Sequence, residues 1–239
     1  MRVKTVAFLI SLFVVMTFRS SNNVDAQESE DKIWTNTFLT NKNEFESIGM
    51  NRYFILQPGY QLVLEGRESG KDVTLYITVL SETRTVDSIE TRIVEEKEYK
   101  NGKLVEISRN YFAVNKMDHS VYYFGEEVDI YKNGEIVDHE GAWESGAKEA
   151  KFGLMMPGLP LVGSRYYQEI APDVAMDRAE IVSVDESTKT PAGIFNHCVR
   201  IEETTPLEPD EKEYKTYAPG IGLIEDGTLT LVKYGFLKR

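Results

Sequence analysis

Four carboxylates, Glu127, Asp129, Asp138 and Glu140, flank the turn in EEVDIYKNGEIVDHE. Asn133-Gly134 suits a two-residue type I′ hairpin turn, which needs positive φ at both central residues. A simple two-residue loop sets Tyr131 opposite Ile136, Asp129 opposite Asp138 and Glu127 opposite Glu140. The four acids then form one column of directly opposed like charges, which is destabilising. Relief must come from splaying, a bulge, Lys or Arg on a neighbouring strand, or a bound hard cation. Oxygen-rich clusters suit Ca²⁺, so the four are a candidate cation site, although the run lacks the D-x-D-x-D-G spacing of a calcium loop. A solvated acidic face is the plainer expectation. The other face of this hairpin, Val128, Ile130, Val137 and His139, is expected to be buried.

The same turn occurs earlier. YKNGKLVE (Tyr99 to Glu106) echoes YKNGEIVD (Tyr131 to Asp138). Here the simple register places Tyr99 opposite Leu104 and Lys97 opposite Glu106, a favourable pair. The flanks of the two copies do not match, and repeat architectures want at least three units. The echo is therefore turn chemistry used twice.

Other chemistry is sparse. His119, His139 and His197 lie in no metal-binding spacing. In FNHCVRI, His197 alternates with Phe195, Val199 and Ile201, which predicts a core histidine. Cys198 is expected to be a small buried hydrophobe, and a single cysteine forms no internal disulfide. There is no G-x-S-x-G, no G-x-x-x-x-G-K and no G-x-G-x-x-G, and no cofactor is implied. Paired acids could serve glycoside hydrolysis, but Glu95-Glu96 and Asp185-Glu186 are expected to be solvated surface. No catalytic residue is assigned.

The elements that carry these residues read as strands. NRYFILQPGYQLVLEG (51–66), DVTLYITVL (72–80), TRIVEEKEY (91–99), KLVEISRNYFAV (103–114), SVYYFG (120–125), DRAEIVSVDES (177–187) and GIFNHCVRIEETT (193–205) alternate or are rich in β-branched and aromatic residues. EYKTYAPGIGLIED and GTLTLVKYGFL close the chain. The Gly- and Pro-rich middle reads as a long connection, with one helical turn over 147–152 and an apolar tip at Leu154, Met155 and Met156. Strands at hairpin spacing without long helices predict a mostly β, single antiparallel domain, strongly curved or a partly open barrel, with a few short helices. Aromatic doublets (Tyr53-Phe54, Tyr111-Phe112, Tyr122-Tyr123, Tyr166-Tyr167) put one ring on each side of a strand. One face enters the core, and the other meets covering segments or lines a ligand groove.

The first 26 residues fit a secretory signal peptide: basic Arg2 and Lys4, an apolar run from Thr5 to Phe18, and Val24-Asp25-Ala26 before the expected cut after Ala26. The run is shorter than the roughly 20 residues a span needs, so cleavage rather than anchoring is expected. Cleavage leaves 24 basic and 38 acidic residues, a net charge of −14 against −12 for the whole chain. Such a chain repels nucleic acid and anionic membranes. Residues 27–50 read as a polar lead-in pinned by Trp34 and Phe38, and 51–239 as one β-rich domain.

NRYFILQPGYQLVLEG, SVYYFGEEVDIYKNGEIV, TPAGIFNHCVRIEETTPLEP and YAPGIGLIED together resemble a family of uncharacterised exported β-rich proteins. The chain departs at Ile55, where proline is usual, and at Leu64, where an aromatic residue is common. The resemblance implies export, a β fold, turn roles for Gly193, Gly220 and Gly222, and no reaction. The expectation is an exported non-enzymatic β domain that binds or carries a small or apolar ligand or serves the cell envelope. The rivals are an exported carboxylate-dependent hydrolase and an acidic protein-interaction module. A continuous apolar cavity favours the carrier, converging acids in a polar cleft the hydrolase, and a filled interior the interaction module.

Overall fold

The computed structural model describes residues 32–238. The expected signal segment (1–26), its cut after Ala26 and the first residues of the lead-in lie outside the described residues. The strands are β1 (Phe45–Glu46), β2 (Gly49–Asn51), β3 (Phe54–Leu56), β4 (Tyr60–Glu68), β5 (Lys71–Val86), β6 (Ile89–Lys100), β7 (Lys103–Asn115), β8 (Val121–Lys132), β9 (Glu135–Asp138), β10 (Trp143–Glu144), β11 (Lys151–Met156), β12 (Arg165–Tyr167), β13 (Glu169–Ile170), β14 (Arg178–Thr190), β15 (Gly193–Thr205), β16 (Glu208–Ala218), β17 (Gly222–Asp226) and β18 (Leu229–Phe236). All but β2 and β3 join one antiparallel sheet, ordered β12-β14-β15-β16-β17-β18-β4-β5-β6-β7-β8-β11-β13, with β1, β9 and β10 on its flanks. The sheet curls into a barrel that is nearly closed, with one seam. The expected antiparallel β class is the observed one. Of the expected short helices, the described residues contain a single 3-10 turn, Lys42–Glu44, capped by Asn41. No helix among them is long and apolar enough to cross a membrane.

The 147–152 helical turn does not form. Ala147 to Ala150 make a tight turn, and Lys151 starts β11. Gly153 in β11 sits where the chain passes between the two end strands of the sheet, β12 and β13, which are joined by Gln168 alone. A Cβ at Gly153 would lie 2.3 Å from the Gln168 carbonyl oxygen, so only glycine allows this crossing. The Gln168 side chain spans the seam and donates to Glu203 Oε1 at 2.8 Å.

Both Asn-Gly pairs occupy hairpin turns with positive φ (Asn101 +49°, Gly102 +73°; Asn133 +57°, Gly134 +87°). Each hairpin also carries a bulge that the sequence reading lacked. Glu98 pairs with Glu106 and Tyr99 with Leu104, so Val105 is the extra residue. Ile130 pairs with Asp138 and Tyr131 with Ile136, so Val137 is the extra residue. The echo is thus a turn and a bulge, each used twice at the same positions.

The interior follows the period-2 alternation of each strand. Tyr60, Leu62 and Leu64 of β4, Val73 and Leu75 of β5, and Val199 and Ile201 of β15 form the main core. Two doublets divide as their alternation requires: Phe112 and Tyr123 enter that core, while Tyr111 and Tyr122, with Phe124, form a second cluster on the outer face; Tyr53 and Phe54 instead both pack against the main core. The lead-in covers this outer cluster. Phe38 meets Tyr122 edge-on at 5.6 Å, and Phe45 meets Phe124 at 5.3 Å. Trp34 lies under the Arg178 guanidinium at 4.5 Å. Covering contacts, rather than a groove, account for the outer rings.

Candidate functional site

The expected acidic column does not form. The Val137 bulge sets Asp138 opposite Ile130, and side chains opposite one another share a face, so Asp138 lies across the strand from Asp129. Glu127 pairs with Arg84, which also holds Glu144 at 2.7 Å. Asp129 accepts from Arg109 Nη1 at 3.1 Å and lies 3.0 Å from His139 Nδ1. Asp138 accepts from the His139 backbone N–H, and Glu140 lies beyond the end of β9. Arg109 on the neighbouring β7 supplies the relief that the sequence reading considered, and Arg84 reaches Glu127 from β5. Among the described residues, no three His, Cys, Asp or Glu side chains are gathered as a metal ion requires.

Other expectations are also corrected. Val137 and the His139 ring are exposed, so of the face expected to be buried only Val128, with Ile130 half-buried opposite Glu106, turns inward. His197 is not a core residue. It adopts φ +57° beside the bulges of the β14–β15 pair, and its ring turns out to Asp185 at 2.6 Å. Cys198 is buried as expected, and burial raises its thiol pKa. Asp185 is on the surface as expected. Glu96 is not.

The barrel encloses a lumen with two adjoining lobes, each of about 70 Å³. The first is apolar, walled by Phe54, Tyr60, Leu62, Ile77 and Val79 among others. The second is acidic. Glu96, Phe112, Met155 and Lys215 line both. The acids arrive by alternation. Val94, Glu96 and Glu98 share one face of β6, Ile201 and Glu203 one face of β15, and Glu213, Lys215 and Tyr217 one face of β16. The ladder Ile77–Glu96–Ser108–Val128 runs across the inner wall, and Asn110 pairs with Glu126 beside it. Glu169 on β13 and Asp177 before β14 complete the acidic lobe at the seam.

Among the described residues, Lys215 is the one basic side chain in either lobe's wall. Its Nζ lies 2.8 Å from Glu203 and 3.9 Å from Asp226. Burial works against its charge, but Asp226 and Glu203 outweigh it and push its pKa well up. The other acids are held toward the protonated form. Burial raises Glu96 to about 8, with Asp226 and Glu106 adding to the effect and Lys215 opposing it. Burial raises Glu106 to about 7 and Glu213 to about 8. Glu126 and Glu169 are pushed well up, chiefly by burial and then by neighbouring carboxylates. Asp177, beside Glu169, rises to about 6. These are the signatures of charged groups stripped of water without paired cations.

Glu169 is 9% exposed and faces the Asp177 carboxyl and the Trp143 indole, but among the described residues none completes a well-aligned hydrogen bond to its Oε2. The Trp143 indole, 7% exposed, lies beside Glu169 and favours its charged form, although no described residue completes a well-aligned hydrogen bond to its N–H. Trp143 and Glu126 also line a groove of about 320 Å³ on the outside, between the 142–150 segment and Ala171, Pro172 and Val174. Glu126 is therefore common to the groove and the acidic lobe. Chemically, the arrangement can seat an apolar body beside a hydrogen-bond donor or a positive charge.

The sequence reading missed this site. The inward placement of Glu96 and Glu203 was visible in principle, since each continues an apolar period-2 face. Glu169 and Asp177 carried no such signal. Compared with family models, curated proteins and solved structures, the chain matches none.

Proposed function

We propose that this is an exported, non-enzymatic β-barrel that binds or carries a small, largely apolar molecule in its lumen. The observation that carries the reading is the apolar lobe, walled by rings and aliphatic side chains and continuing past Phe112 and Met155 into a polar end. Ligand sites have this composition: mostly apolar walls with a few polar groups that fix orientation. The space within the barrel also favours a carrier over a purely structural interaction module, for which a filled interior was expected. Export rests on the pattern of the first 26 residues and on the resemblance to exported β-rich proteins.

A hydrolase is the second reading, and the neighbouring Glu169 and Asp177 carboxyls favour it, since two acids with altered proton affinities can act as acid and base. Turnover of model glycosides or esters that is lost in Asp177→Asn would establish that reading over the carrier. The carrier is tested by native mass spectrometry of protein from its own host, joined to thermal melting with 1-hexanol. A co-purified small molecule, and a melting temperature raised by hexanol in the parent but not in Val79→Trp, is the expected result. No bound mass and no hexanol shift would sink it.

A further inference from the structure

The lumen wall constrains the charge of its occupant. Glu96, Glu106, Glu126, Glu169, Asp177 and Glu213 face the acidic lobe, and none forms an ion pair among the described residues. Lys215 is already taken up by Glu203 and Asp226. A cation placed here would let some of these carboxyls ionise against it, whereas an anion would hold them all protonated and gain no opposite charge, so the lobe favours cations over anions. A bare metal ion is disfavoured, because no three of these groups converge at coordinating distance. Lys215 aside, no described side chain brings positive charge to the acidic lobe, and Glu169 Oε2 stands buried in its wall beside Asp177 and Trp143 with no well-aligned hydrogen bond among the described residues. A buried carboxyl held protonated by its surroundings regains its charge when a cationic donor meets it, and the charge-assisted bond is the strong one.

The adjoining apolar lobe shows what the rest of the ligand must be. Phe112 and Met155 bound both lobes, so a molecule with one end at Glu169 would direct its other end against them. Size sets a limit. A dry cavity of about 150 Å³ holds benzene, and the two lobes together offer comparable room, about 70 Å³ each. Glu126, shared with the outer groove, marks the side from which a cation would approach.

Resting on the lumen-binding reading, we propose that the occupant is a small primary amine of about six to ten non-hydrogen atoms, its ammonium against Glu169 and Glu126 and its apolar body against Phe112 and Met155. A second charge at the far end would be buried in the apolar lobe, so a monoamine is preferred over a diamine of the same length.

The test is calorimetric titration of the full chain at one pH with n-hexylamine, 1-hexanol, hexanoate, 1,6-diaminohexane and calcium chloride. Hexylamine should bind at least tenfold tighter than hexanol and 1,6-diaminohexane, and hexanoate should not bind. Glu169→Gln should weaken hexylamine at least tenfold and leave hexanol unchanged. Should that variant fail to fold, Glu126→Gln serves, with the same expectation. Equal binding of hexanol and hexylamine overturns the amine assignment and leaves the carrier reading standing. Binding of none of the series overturns both. Calcium binding that Glu169→Gln abolishes overturns the amine in favour of a metal ion.

Discussion

Glu96→Gln separates the buried-carboxyl account from ordinary surface acidity. Glu96 sits on the inner face of β6, its Oε2 lacks a partner, and burial lifts its pKa from 4.5 to about 8. A carboxyl that holds its proton more tightly when folded stabilises the fold fully below its unfolded pKa, and that share is lost as pH climbs through the folded value. At about 1.36 kcal/mol per pKa unit, the full shift corresponds to about 5 kcal/mol, of which about 4 kcal/mol is lost between pH 5 and pH 8.5 by linkage. Coupling to Asp226, Glu106 and Lys215 spreads some of this over neighbours, so about 2–4 kcal/mol is expected from the single site. Glutamine matches the protonated carboxyl in shape, so parent and variant should be nearly equal at pH 5. By pH 8.5 the variant should be the more stable by that amount. Urea denaturation followed by tryptophan fluorescence at pH 5, 6, 7 and 8.5 measures it. A gap between the two proteins that stays constant with pH, or one that closes in the parent's favour as pH rises, refutes the reasoning.

Lys215→Met should cost about 3–5 kcal/mol at pH 7 because Glu203 and Asp226 lose a buried cation; urea midpoints should show a smaller cost at pH 5, where Asp226 takes up a proton. Gly153→Ala should destabilise by about 1–3 kcal/mol, as an overpacked site does, and should speed amide exchange at Gln168–Ile170, since its Cβ would press on the Gln168 carbonyl. Unchanged exchange there would show that Gly153 does not hold the crossing.

The turns and strands were legible because they depend on local chemistry. Asn101-Gly102 and Asn133-Gly134 meet a φ requirement that few other pairs satisfy, and β15 spans the same Gly193 to Thr205 that the sequence marks out. The faces were less legible. One inserted residue reverses inside and outside for everything beyond it. Val137 moves Asp138 away from Asp129, Val105 sets Glu106 against Glu98 instead of Lys97, and the bulges near His197 turn it to solvent. Glu96 was misplaced for another reason. Acids are almost always outside, and that prior overrode the alternation linking Glu96 to Val94. Glu169 and Asp177 could not be assigned at all, since they meet the lumen only through the closure of the sheet, which is a property of the whole chain.

The closing of the sheet has a bearing on how molecules of this protein meet one another. Its terminal strands, β12 and β13, are three and two residues long, and Thr35 bonds to Arg165 and Tyr167 along β12. The short β9 at the rim carries Glu135 and Asp138, which repel a second copy. An all-strand protein ordinarily offers templates for another chain to extend by backbone pairing. Here the ends are too brief, occupied or charged to seed such growth, so crowded copies should stay separate rather than stack into fibrils.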